Sequence, residues 1–189
     1  MYCPTSCPLA TERLILEYPT LDASGAVLEY RILNRDHLST WEPLRSDEFY
    51  TILNVECQMR NLAEQITNGT AVHWLMKKHE SSEIIGQCSF TNIVHGPFQA
   101  CHLGFSIAQQ HQGNGLMLEA LKAAIPNVFQ THGLHRIMAN YQPDNLRSEI
   151  LLRRLGFERE GLAKSYLKIN GRWTDHVLTS LINPSANVG

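Results

Sequence analysis

The spacing of apolar residues changes period several times along the chain, and each change predicts an element. Leu14-Ile15-Leu16, preceded by Arg13 and ended by Pro19, reads as a first strand. Residues 21–38 then repeat with helical spacing. A polar break containing Trp41-Glu42-Pro43 precedes a second helical stretch over 47–66, which Asn68-Gly69 closes. The period falls to two over 71–77, 84–93 and 100–107, runs joined by Glu80-Ser81-Ser82 and Gly96-Pro97, the pattern of an antiparallel meander. Helical spacing returns from Gly115 to Gln130, with Gly133 as its stop and a kink expected at Pro126. Residues 135–141 alternate as a further strand. A short helix capped by Asp144 or Asn145 runs to Leu155 and ends at Gly156, and two strands over 157–169 and 173–181 close the chain through Asn170-Gly171. This order predicts an α/β domain, a mixed and mostly antiparallel sheet of about seven strands with flanking helices, whose one long helix crosses between two parallel strands. The domain is placed at 11–182, with a flexible N-terminus at 1–10 and a tail at 183–189.

With 189 residues, of which 43% are hydrophobic and 18% charged, the chain suits one globular domain. A net charge of −2 gives no broad grip on nucleic acid or on an anionic membrane. No run approaches the roughly 20 apolar residues of a membrane span, and the opening residues lack a basic segment followed by an apolar one, so a cytoplasmic protein is expected. The five cysteines, Cys3, Cys7, Cys57, Cys88 and Cys101, are odd in number and mostly scattered, as in a reducing compartment. Cys3 and Cys7 make half a zinc site, which no second pair completes, so no metal is expected.

The segment with the most chemical content is Gln110-His111-Gln112-Gly113-Asn114-Gly115-Leu116-Met117, which follows a strand and opens a helix. Amides there point outward at the positive end of a helix dipole, and glycines at 113 and 115 let a diphosphate approach the main chain. An unliganded strand-to-helix turn fits the same residues. A P-loop would need Gly-Lys followed by Ser or Thr, and a dinucleotide fingerprint a third Gly or Ala where Leu118 stands.

Gln110-x-x-Gly113-x-Gly115 between a strand and the long helix resembles the acetyl-CoA pyrophosphate loop of the GNAT N-acetyltransferase family. Asn34-Arg35 with Trp41-Glu42-Pro43, Ile84-Ile85-Gly86, Asn145-x-x-Ser148 and Leu155-Gly156-Phe157-x-x-Glu160-Gly161 extend the likeness to the RimJ/RimL group, over nearly the whole chain. Leu134-His135-Arg136-Ile137-Met138-Ala139-Asn140-Tyr141 and Asp175-His176-Val177-Leu178 resemble the RimJ-type, ribosomal-protein-alanine branch most. The resemblance implies a GNAT fold in which the fourth strand, 100–107, carries a bulge and splays from the fifth, leaving a slot for the pantetheine arm of acetyl-CoA. Phe105, Ser106 and Ile107 would hold the acetyl carbonyl through their amides. Gln110, Gln112, Gly113, Asn114, Gly115, Leu116 and Met117 would cradle the pyrophosphate.

Further roles follow from the same resemblance. Ser148 shares a helical stripe with Leu151, Leu152 and Leu155, so its hydroxyl faces inward. By spacing it satisfies a backbone group near the helix start. By resemblance it protonates the departing CoA thiolate; Leu152 occupies the position where many relatives place a tyrosine, so either Ser148 or water supplies that proton. Glu160 reads as an exposed strand-end carboxylate, or by resemblance as the group that holds the acceptor amine and takes its proton. Asn145 caps the helix or binds the pantetheine amide, and the second role is favoured with Asp144 as cap. Trp41 and Glu42 would line the acceptor groove, Glu42 meeting a cationic N-terminus. His111, His132 and His135 carry no expected role. The implied reaction is direct attack of the N-terminal α-amine of alanine, on a small-subunit ribosomal protein, on the acetyl-CoA thioester; partners are that N-terminus and ribosomal particles. A ping-pong route through Cys88 or Cys101, a small amine acceptor such as a polyamine or antibiotic, and a CoA-binding assembly factor are the rivals.

Overall fold

A computed structural model describes residues 8–185, so Cys3 and Cys7 lie outside the described residues. Eight strands form one sheet in the order β1-β2-β3-β4-β5-β6-β8-β7. They are β1 (Leu9–Ala10), β2 (Leu14–Glu17), β3 (Val72–Lys78), β4 (Gly86–Val94), β5 (Ala100–Ile107), β6 (Arg136–Tyr141), β7 (Glu158–Ile169) and β8 (Arg172–Ile182). Helices α1 (Ser24–Leu33), α2 (Arg35–Ser39), α3 (Ile52–Thr67), α4 (Leu116–His132) and α5 (Leu146–Arg154) connect or cover them. The strand beyond the expected seven is β1: Leu9 and Ala10, assigned from sequence to a flexible end, pair with Leu16 and Ile15. Two residues give too short a run for any period to register.

Alternation along β3 shows how the sheet is buried on both faces. Val72, Trp74 and Met76 join a core that also holds Leu116, Ala120, Leu121, Ala124 and Val128 of α4. Leu75, pointing the other way, packs with Val27 and Tyr30 of α1 and with Val55 and Met59 of α3. The helix α4 runs through Pro126 to His132, and Pro126 lies on its exposed side. There the Lys122 carbonyl loses its intrahelical donor, on a side of the helix where both Lys122 and Pro126 are exposed.

Two helical runs read from the sequence as continuous are broken. Asn34 separates α1 from α2 because its buried carboxamide serves both neighbours: Nδ2 donates to the Tyr30 carbonyl (2.8 Å) and Oδ1 accepts from the Gln109 amide (3.0 Å). Farther on, a 3-10 turn over Asp47–Tyr50 precedes α3, whose start is capped by Thr51 Oγ1 accepting from the Asn54 amide.

The strands that should part do so. Parallel β5 and β6 pair only at Ala100–Arg136, Cys101–Ile137 and His102–Met138, and beyond that level their backbones separate. The bulge expected in β5 is absent: residues 102–107 pair in unbroken register with β4. The irregularities lie in β4, between Thr91 and Val94 with Asn92 at φ 53°, and twice in β7, where Glu160 is the extra residue between Arg159 and Gly161 and a second shift falls between Ala163 and Leu167 with Ser165 at φ 48°. What keeps β5 straight is close contact with β4. At Gly86 a Cβ would stand 2.7 Å from the Ser106 carbonyl oxygen, a backbone atom that cannot swing aside. Gly86→Ala is therefore expected to lower stability by about 1–3 kcal/mol, read as a lower midpoint with unchanged slope in urea unfolding; an unshifted midpoint would mean that the two strands part freely.

Candidate active site

The site is built where β5 leaves β6. Ala108 donates its amide to the Ile85 carbonyl (2.8 Å), so by strand alternation the amides of Phe105 and Ile107 point away from β4 and into the slot. Unpaired amides fixed on a strand are suited to an oxygen that gains charge. Ser106, turned toward the other side, shares a hydrogen bond with the Tyr30 hydroxyl (2.9 Å). Burial raises that phenol well above its ordinary range, which keeps it protonated.

After β5 a 3-10 turn (Gln109–His111) leads to Gly113 and Gly115, at φ 76° and 73°. Gly115 stands at the N-cap of α4, and no side chain caps the helix. Leu116 and Met117 are buried in the core, so their contribution to an anion is through main-chain amides. The polar side chains of the loop brace it. Gln110 Nε2 donates to Glu83 Oε1 (3.0 Å), and Asn114 Nδ2 donates to the Gln112 carbonyl (3.2 Å). Arg147 of α5 donates to Gln112 Oε1, which leaves Gln112 Nε2 to donate to His37 Nε2 (2.8 Å). His37 must therefore be neutral on that nitrogen, in agreement with burial and the Arg147 charge lowering its pKa.

Two cations missed in the sequence flank this loop. Arg147 is one. The other is Arg13, whose Nη1 donates to the Asn114 carbonyl (3.0 Å) and whose Nε pairs with Glu119 (2.6 Å). Glu119 also accepts from the Thr11 hydroxyl (2.6 Å) and the Arg13 amide (2.8 Å). Nothing in the local pattern around Arg13 signals contact with a loop so distant in sequence; only the place of β2 in the sheet brings it there.

At the open end of the slot, Asn145 corrects one expectation. Its Oδ1 accepts from the Ser148 amide (3.1 Å), so Asn145, not Asp144, caps α5. Ser148 is half-buried, and its hydroxyl makes no hydrogen bond among the described residues, so the backbone-satisfying role does not account for it. Leu152 is buried and Leu151 and Leu155 pack on the same core, as the stripe required.

Glu160, placed on its bulge, turns to Arg136 and Ser180. Its Oε1 accepts from both terminal nitrogens of Arg136 (2.7 and 2.8 Å) and from Ser180 Oγ (2.8 Å). Oε2 makes no hydrogen bond among the described residues.

On the α1 side of the sheet lies an open cavity of about 380 Å³, lined among others by Tyr30, Glu42, Cys88, Ser89 and Asn170. Glu42 lines it and Trp41, half-buried, does not. The Glu42 carbonyl accepts from the Asn170 amide (3.0 Å), which ties this segment to the β7–β8 turn. Burial raises the Glu42 carboxyl pKa against the opposing pull of Arg45 and Arg31. Cys88 and Cys101 are buried, and burial pushes both thiols up to about 12, so neither is a thiolate at neutral pH.

A parted parallel pair, amides aimed into the gap and an uncapped helix start beside it are the features that would suit a diphosphate-bearing thioester. The acetyltransferase (GNAT) domain family matches residues 13–158, and the chain belongs to it. It is 43% identical to the [ribosomal protein uS5]-alanine N-acetyltransferase of Escherichia coli over 96% of this chain and 93% of that protein. Among solved structures, the ribosomal-protein-S5-alanine acetyltransferase of Vibrio fischeri superposes with a TM-score of 0.90 at 37% identity, over 94% of this chain and 97% of its own. RimJ of Mycobacterium smegmatis, in complex with CoA-disulfide, superposes with 0.85 at 25% identity, over 93% and 84%.

The Glu119 cluster yields a pH signature. Burial alone would raise its carboxyl, but the Thr11 hydroxyl and the Arg13 amide and guanidinium outweigh it and hold the pKa below the ordinary 4.5. Stability from this group is thus full above about pH 4.5 and is lost as pH falls through the lower native value. Glu119→Gln is expected to cost about 1 kcal/mol at neutral pH and to flatten the decline of Tm below pH 4.5; an unchanged acid limb would remove Glu119 from the account.

Proposed function

We propose that this GNAT acetyltransferase moves acetyl from acetyl-CoA to the N-terminal α-amine of alanine on a small-subunit ribosomal protein. The observation that carries the reading is the gap between β5 and β6 beyond His102 and Met138, opening beside the bare amides at Gly113 and Gly115. The similarity to uS5-alanine enzymes supplies the acceptor class. The acetyl-CoA diphosphate rests on the loop amides between Arg13 and Arg147, the pantetheine arm runs along the slot, and the thioester oxygen meets the amides of Phe105 and Ile107. The amine arrives through the groove of Glu42, adjoining the β4 residues that pair with β5.

Transfer is direct. Attack of the neutral amine on the thioester carbonyl forms the amide and breaks the carbon–sulfur bond, with a proton lost by nitrogen and one gained by sulfur. Ser148, whose hydroxyl has no other partner among the described residues, gives the thiolate its proton. Glu160 takes the amine's proton on the Oε2 that Arg136 and Ser180 leave open. The high thiol pKa values of Cys88 and Cys101 disfavour an acyl-enzyme route, and Cys88→Ala and Cys101→Ala should keep near-normal kcat.

Ser148→Ala and Glu160→Gln are each expected to lower kcat about 10²-fold, followed by release of CoA thiol. A Glu160→Gln enzyme with full kcat and lowered Tm would leave that carboxylate its ion pair alone. The acceptor is tested by mass spectrometry of ribosomal proteins from cells with and without this chain, where one N-terminus should lose about 42 Da. No such difference, with small amines acetylated instead, would overturn the protein acceptor.

A further inference from the structure

One wall of the acceptor groove is unusually rich in fixed positive charge. Arg31 of α1, Arg35 of α2 and Arg45 beyond Pro43 all line it. Each guanidinium lies over an aromatic ring: Arg31 at 4.1 Å and Arg45 at 4.4 Å from the centre of Phe49, and Arg35 at 4.5 Å from that of Tyr50. Stacking on rings set by the turn before α3 holds these side chains in place before any ligand arrives.

The wall is compensated unevenly: Asp36 lines the groove too but forms no ion pair with any of the three arginines among the described residues. Arg35 pairs with Asp47 (2.9 Å), whose side chain is 89% exposed. Arg31 spends its donors on neutral groups, the Phe49 carbonyl (3.2 Å) and Gln58 Oε1. Among the described residues no carboxylate touches Arg31, and Arg45, on the same ring, acts on it as a like charge. The one acid that offsets both is Glu42, at 3.7 Å from Arg45. On the proposed route the acceptor amine also passes this carboxylate before it reaches Glu160. While the α-ammonium draws on Glu42, the stacked guanidinia of Arg31 and Arg45 face the rest of the acceptor without an ion-pair partner of their own, Asp36 being the other carboxylate of the groove.

Resting on the N-terminal acetyltransferase reading, we propose that this arginine wall binds a carboxylate side chain of the acceptor, so that N-termini carrying Asp or Glu within their first few residues are preferred. Arg fits a carboxylate in a two-bonded fork, and a site with its donors already oriented gains the most from filling it. Arg45 is reachable, its side chain 38% exposed. The preference is local and runs against the chain's net charge of −2, which by itself would attract a basic partner.

The test is a set of synthetic peptides beginning with Ala and alike except for Glu, Gln or Lys at each of positions 2 to 5, with kcat/KM measured by CoA thiol release. Glu is expected to exceed both Gln and Lys about tenfold or more at one position at least, chiefly through KM. Arg45→Glu should reverse the order, favouring Lys at that position, and Arg45→Gln should abolish it; a purely structural arginine would lower all peptides alike. Melting curves of the variants are taken in parallel. Equal kcat/KM for Glu, Gln and Lys at all four positions, or a Glu preference that survives both substitutions, overturns the proposal. If acetyl-CoA binds and no peptide is acetylated while a small amine is, the acceptor reading itself fails and this inference with it.

Discussion

Three residue pairs hold β5 against β6, and then nothing does. That shortfall of main-chain hydrogen bonding is the condition for everything else in the site. A parallel pair that continued to Ile107 would satisfy its amides internally and leave no slot. The fold must therefore hold β5 from its other side, which it does through the unbroken register with β4 and the close passage of Gly86 under Ser106. Amides left unpaired inside a sheet are expensive unless water or ligand meets them, so the open edge is affordable only where a ligand is meant to lie.

The same economy governs the loop that follows. α4 begins without a side-chain cap, and two glycines take up positive φ so that successive amides converge. The polar side chains around them do not fill this space. Gln110, Gln112 and Asn114 turn to Glu83, His37, Arg147 and the loop's own carbonyls. They fix the shape of the cradle and leave its interior to the backbone. The flanking cations come from opposite sides of the loop in sequence, Arg13 from just before β2 and Arg147 from α5.

Much of this was legible from residue order, because it rests on short-range signals. Gly113 and Gly115 after a strand, the inward stripe of Leu151, Leu152 and Leu155, and the turn at Asn170-Gly171 each specify local geometry that the structure repeats. The failures share a cause. The break at Asn34 depends on the Gln109 amide, the Asn145 cap wins over Asp144 through one side-chain bond, and Arg13 meets the loop only through sheet order. The bulge moved from β5 to Glu160 because register is a property of paired strands, which no single strand encodes. The arginine wall was hidden likewise, since its rings and cations come from different segments.

The helices beside the cavity of Glu42 are not independent of the strand whose amides face the slot. Tyr30 of α1 reaches Ser106 of β5, and Asn34, just past α1, reaches Gln109 in the turn that follows β5, so the two segments are fastened at two nearby points. A ligand that stiffened one of these segments would stiffen the other, and by thermodynamic reciprocity any gain in a second ligand's affinity would be returned to the first by the same factor. Two part-buried hydrogen bonds thus make the groove-side helices and the slot-side strand a single mechanical unit.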